Sequence, residues 1–314
     1  MLKTNPRFAC FSQFYRSAQG FLRPQSRSMK SLIAPLVVSL LLSVNCWPVS
    51  ARGENTKTPV SSAQLDTFMK KWSEHKPFQA PTDPKDEPLL QAALKKDPKG
   101  PWAGYFSSKF ADTKFKARSL SNVDRAALYS ASLTYLKPAR DTLALSVKAD
   151  PDNKELQFGL IQLGEDVALA SLEAGLDFAA VKSFAEATLA KNKDTQSWNY
   201  GNIIFNEHTL LGRVALREEK LDEAIKHLLA AGHTPGSPQL NNSGPDFILA
   251  RELAEKGKHD TVITFLDLVA RFWANPDKRT EANSKRVASN NLKQLQDWKK
   301  QLRAGKVPDH RKWR

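Results

Sequence analysis

From Ser121 onward, apolar residues recur three and four positions apart with few interruptions. That period places them on one face of a 3.6-residue helix. Leu156, Leu160, Leu163, Val167 and Leu172 form such a stripe and predict a helix over 155–174. Ser121 supplies an N-cap for a helix reaching about Leu136. Ala288, Leu292, Leu295 and Leu302 mark a last helix from about Glu281 to Arg303, with Trp298 at the edge of its stripe. A shorter signature, a small or branched residue followed four positions later by a bulky one, recurs at Ala139–Leu143, Ala180–Phe184, Ala224–Leu228 and Val262–Leu266. Nowhere do apolar and polar residues alternate long enough to predict a strand. Before Ser121, Leu65, Phe68, Met69 and Trp72 predict a helix capped by Ser61 or Ser62, and another is expected over Pro88–Lys96. The aromatics Trp102, Tyr105, Phe106, Phe110 and Phe115 follow Gly100-Pro101 and suggest a loop folded over those helices.

Residues 208–238 combine these signals. His208, Leu211, Gly212 and Ala215 lead into Ala224, Leu228 and Ala231, and Pro235 closes the unit. This spacing resembles a tetratricopeptide helix–turn–helix unit, in which small residues let two antiparallel helices approach closely. His208 stands where that repeat usually has Trp, and Ala215 where it has Tyr. The anchors 139, 180, 224 and 262 are spaced more widely than the repeat's usual period of about 34 residues. The stretch 201–273, with Gly201-Asn202, His208, Leu211-Gly212-Arg213 and the loop Pro235-Gly236-Ser237-Pro238-Gln239-Leu240-Asn241, also resembles an uncharacterised group of exported bacterial tetratricopeptide-like proteins. That group has no established activity, and its loop aromatic is absent from Asn241-Asn242-Ser243-Gly244-Pro245. The resemblance implies an all-α, tetratricopeptide-like helical-repeat fold (α-solenoid) with an irregular N-terminal cap and a closing C-terminal helix.

Charge divides the chain. Residues 1–51 hold six Lys/Arg and no acid, residues 52–278 hold 30 of each sign, and residues 279–314 hold 11 basic against three acidic. The formal net charge of +14 therefore lies at the two ends. Met29-Lys30, the apolar run Leu32–Val44 and Val49-Ser50-Ala51 follow the order of a secretory signal peptide. Export to the periplasm or extracellular space, with cleavage after Ala51, is expected. Both cysteines, Cys10 and Cys46, precede that point, so the processed chain would hold no thiolate nucleophile or ligand. Four segments result: a leader, 1–51, with its signal peptide at 29–51; an irregular capping segment, 52–120; helical repeats, 121–278; and a basic C-terminal helix and tail, 279–314.

Motifs for catalysis are missing. No Gly-x-Ser-x-Gly, phosphate-binding glycine loop or His-Glu-x-x-His occurs. The histidines have no metal-ligand spacing: His227 and His233 do not share a helix face, and His208 stands alone on its helix as a packing residue. Glu165-Asp166 and Glu218-Glu219 are neighbours that diverge around a helix and read as solvated surface. No metal or cofactor is expected.

One polar stripe stands out. Asn199, Asn202, Asn206, Arg213 and Arg217 keep one face of a helix, and Arg251 follows Ala250 on the next unit as Arg213 follows Gly212. Asn202, Asn206, Arg213, Arg217 and Arg251 are the candidate ligand-binding residues. Two guanidinium forks suit a carboxylate or an acidic peptide, whereas the structural alternative pairs them with Glu207, Glu218 or Glu255. The loop 233–246 serves either as a binding loop or as a helix connection capped by Ser243 or Asp246. These features point to an exported, non-catalytic helical-repeat protein that binds a protein or peptide, acidic in character, through one face. The alternatives are an enzyme using His208 or His233 with nearby carboxylates, and an envelope-attached structural protein held weakly by the basic C-terminus. Nucleic acid is not expected as a partner of an exported chain.

Overall fold

The computed structural model describes residues 60–73, 86–100, 102–275 and 282–309. The expected signal peptide lies outside the described residues. Twelve helices form among them, with no strand: α1 (Ser62–Ser73), α2 (Glu87–Lys96), α3 (Trp102–Ala117), α4 (Asn122–Ala149), α5 (Lys154–Glu173), α6 (Phe178–Lys191), α7 (Tyr200–Arg217), α8 (Leu221–Gly232), α9 (Pro238–Ser243), α10 (Ile248–Glu255), α11 (His259–Ala270) and α12 (Ala282–Arg303). No described helix is long and apolar enough to cross a membrane.

Local chemistry explains many of the boundaries. Ser121 Oγ accepts the Asp124 N–H at 3.2 Å and starts α4. Asn153 Oδ1 does the same for α5 through Leu156 N–H. These side chains satisfy donors that a helix N-terminus leaves without partners. At the other end, Gly175 and Gly257 take positive φ after α5 and α10, and the next residue's N–H reaches back five positions, Leu176 to Ser171 and Lys258 to Leu253.

Three differences from the sequence expectation are clear. The aromatic stretch after Gly100 is helix α3, not a loop. Its Trp102, Phe106 and Phe110 are spaced four apart with Tyr105 three after Trp102, and all four are buried. α4 continues past Leu136 to Ala149 with Pro138 inside it. The proline lies on the exposed side, and Leu136, Ala139 and Leu143 bury their side chains on the other. Loop 233–246 contains the short helix α9, capped by Ser237.

The core falls into three clusters that follow one another along the described helices. One cluster joins α1 to α5, a second joins α5, α6 and α7, and a third joins α7 to α12. Trp298 of α12 sits in the middle of the third cluster rather than at its edge. It is 1% exposed and edge-on to Phe247, with ring centroids 5.1 Å apart. Neighbouring helices pack pairwise, as α4 with α5 and α7 with α8. α3 touches α5, α5 touches α7, and α7 touches α10. That order of contacts brings one face of α5, α7 and α10 together.

Candidate functional site

Helix α7 lies between α5 and α10, and small residues set how close they come. A Cβ on Gly212 would lie 2.4 Å from Leu249 Cδ2 of α10 and 3.2 Å from His227 Cβ of α8. Gly212 is therefore the point of close approach for both neighbours. The next residue, Arg213, is buried, at 3% exposure. Its Nη2 donates to Glu173 Oε1 of α5 at 2.7 Å and to Glu252 Oε1 of α10 at 3.2 Å, while Nε donates to Glu252 Oε2 at 3.3 Å. Arg217, one turn on, donates from Nη2 to Glu252 Oε1 at 2.9 Å. The result is a ladder, Glu173–Arg213–Glu252–Arg217, across three helices.

Register along this face is shared. Asn206 Nδ2 donates to Glu165 Oε2 at 3.4 Å, and two turns later on both helices Arg213 meets Glu173. α5 and α7 therefore run in the same direction here.

Electrostatics follow from the pairing. Burial works against the charge on Arg213, but Glu252 and Glu173 outweigh it and raise its pKa. Burial likewise pushes Glu252 up, yet Arg213 and then Arg217 pull it below the ordinary carboxylate range. Arg213 and Glu252 are therefore both charged at neutral pH.

The five expected binding residues separate into two sets. Asn202 is buried and satisfied. Its Nδ2 donates to Asn199 Oδ1 at 2.8 Å and Gln239 Oε1 at 3.1 Å, and its Oδ1 accepts from Ser237 Oγ at 2.5 Å. It therefore ties α7 to the loop before α9. Arg213 finds its acidic partners within the chain. Asn206 is half-buried against Glu165, and Arg217 is exposed beyond Glu252. Arg251 is half-buried, with its Nε 3.5 Å from Glu255 Oε1. The α10 residue that faces Arg213 is Glu252, one position from the expected Arg251. Of the three acids considered as partners, Glu255 pairs with Arg251, Glu218 pairs instead with Lys220, and Glu207 pairs with neither arginine.

Several chemically distinct groups escape the sequence reading. Glu165 and Asp166 are not solvated surface. Asp166 is buried beside Lys114, and burial raises both carboxyls, Glu165 to about 7. Glu207 is 0% exposed, and neither carboxyl oxygen has a hydrogen-bond partner. Burial, and then the nearby Glu165, push it up to about 9, so it is protonated at neutral pH. Its position was a readable signal, because Glu207 falls on the apolar stripe of Ile203, Leu210, Leu211 and Val214. His208 is not alone: its Nδ1 lies 3.1 Å from His227 Nδ1 on α8. No spacing rule connects residues 19 apart on two helices. Among the described residues, no group of three or more His, Cys, Asp or Glu side chains is placed to hold a metal ion.

Loop 233–246 is pinned to α7. Thr234 Oγ1 donates to Gly201 O at 2.8 Å, and Gly236 O lies where a Cβ on Gly201 would stand. Asp246 Oδ1 accepts the Ile248 N–H at 2.8 Å where α10 begins, although the N-cap position itself is Phe247. The connecting role is thus visible. Surface grooves of about 630 Å³ along α12 and about 440 Å³ beside α1 and α2 lie away from the α5–α7–α10 face.

No family model, no curated protein and no solved structure matches this chain.

Proposed function

We propose that the protein is an exported, non-catalytic helical-repeat scaffold that binds an acidic segment of a protein or peptide along the face of α5, α7 and α10. The repeat reading draws support from the paired helices α3–α4, α5–α6, α7–α8 and α10–α11, whose first members touch in succession. The export reading rests on the sequence of residues 29–51 alone.

The observation that carries the binding reading is the ladder itself. It spends four charges and leaves its outermost cation, Arg217, exposed, with Arg251 on the same helix as Glu252. A guanidinium has five N–H donors, so Arg217 retains donors beyond its bond to Glu252. Buried Arg213 and Asn202 hold the helices in register, and Asn206, Arg217 and Arg251 are the residues with exposure to offer a ligand. This division preserves the acidic partner expected from the sequence and moves its contact outward from Arg213.

A fluorescent Asp/Glu-rich probe peptide tests the reading directly. Binding should weaken about ten-fold or more in Arg217→Glu, given about 1.5–3 kcal/mol for a charge-assisted hydrogen bond. Lys226→Glu, on exposed α8 surface, should leave it unchanged. Equal binding by the parent and Arg217→Glu, or no binding by the parent, would remove the acidic-partner reading.

A further inference from the structure

His208 and His227 meet because Gly212 lets α8 approach α7 closely. Their imidazole centroids are 5.3 Å apart, and the Nδ1 atoms face each other at 3.1 Å. Two nitrogens bound to one metal ion at about 2.0–2.1 Å, with an angle between a right angle and tetrahedral, lie roughly 2.9–3.4 Å apart. The observed separation falls in that interval without any movement of the helices.

The surroundings suit coordination. Burial lowers the pKa of both rings, which favours the neutral form that ligates metal. Both histidines are part-buried rather than fully enclosed. Glu223 sits one turn before His227, with its Oε1 3.8 Å from the far nitrogen, Nε2. At that distance it makes no hydrogen bond to the ring, so it places negative charge near the pair rather than fixing the ring's orientation. Glu223 and Glu186 act on this pocket from the attractive side, and Lys226 and Lys182 oppose them.

We propose that His208 and His227 form an open, two-histidine site for a borderline transition-metal ion such as Zn²⁺, with water completing the coordination. Without the ion, one Nδ1–H donates to the other Nδ1. Binding replaces that bridging proton, and the donor ring takes its Nε2–H tautomer, so no net proton is released. The ion would then pin α7 to α8 directly behind the Arg213 ladder.

Calorimetric titration of the full chain with ZnCl₂ decides the matter. A binding event should be lost in His208→Ala and in His227→Ala, and kept in His233→Ala. Zn²⁺ should also raise the Tm of the parent chain and leave that of the two alanine variants unchanged. If either variant fails to fold, ¹⁵N imidazole spectra of the parent report on the site directly, because both Nδ1 resonances should shift on adding Zn²⁺. Unchanged Nδ1 resonances, or equal Zn²⁺ binding by the parent and a folded His208→Ala, would overturn the site and leave a hydrogen bond between two helices.

Discussion

Arg213 on α7 lies 2.7 Å from Glu173 on α5, a contact between side chains 40 residues apart that also closes on Glu252 of α10. One buried guanidinium therefore spans three helices. Desolvation of these charges is costly, and their mutual attraction offsets it only while all partners remain. The ladder specifies register more than it adds stability.

Arg213→Ala should destabilise the protein by about 3–5 kcal/mol, because it strands the largely buried Glu173 carboxylate and leaves Glu252 with Arg217 alone. Arg213→Lys should recover only part of that loss, since a single ammonium cannot reproduce the planar fork. Urea denaturation of both variants checks this. A loss below about 1 kcal/mol for Arg213→Ala would place the ladder in effective contact with water.

Glu207 makes the opposite prediction. Its folded pKa of about 9 lies above its ordinary value of 4.5. The folded chain thus holds a proton that the unfolded chain releases, and stability falls as pH rises from about 4.5 to about 9. Glu207→Gln removes this dependence. It should stabilise the protein by roughly 3–3.5 kcal/mol at pH 7 and by almost nothing at pH 4, taking about 1.4 kcal/mol per pH unit. Melting curves across that range measure the crossover.

The histidine pair responds in the acidic direction. His208 is held down to about 4 by burial, then by His227 and Lys226, and His227 is also lowered. The unfolded chain therefore takes up protons first. The stability linked to this pair is fully present above about pH 6.5 and is lost as pH falls toward 4. His208→Gln should flatten the melting temperature over that interval. A profile identical to the parent's would mean that the pair does not govern acid stability.

Gly201 is irreplaceable for steric reasons. A Cβ there would sit 1.9 Å from Gly236 O and 2.7 Å from its carbonyl carbon, with Thr234 Oγ1 at 3.0 Å. Backbone cannot swing aside as a flexible side chain does. Gly201→Ala should cost about 3 kcal/mol, the upper range for overpacking. Its amide exchange should accelerate first in residues 234–244, where the loop is displaced. Uniform loss of protection through α7 and α8 would instead point to global unfolding.

What the sequence by itself determined is local. The α5 stripe predicted 155–174 and the helix spans Lys154–Glu173; Ser121 was expected to cap α4 and does. Caps and apolar periods act within a few residues, so they are written contiguously. Glu207 carried a local signal, an acid on an apolar stripe, but was expected instead as a partner of the arginines. Tertiary structure decided the rest. It turned the aromatic stretch into α3 by burying its face, put Glu252 rather than Arg251 against Arg213, and joined His208 to His227. Those pairings depend on the rotation and approach of whole helices, set where Gly212 meets Leu249 and Gly164 would meet the Phe184 ring. A rotation of 100° per residue means that an offset of one position changes which side chain faces the neighbour, and only the close-packed core selects among such offsets.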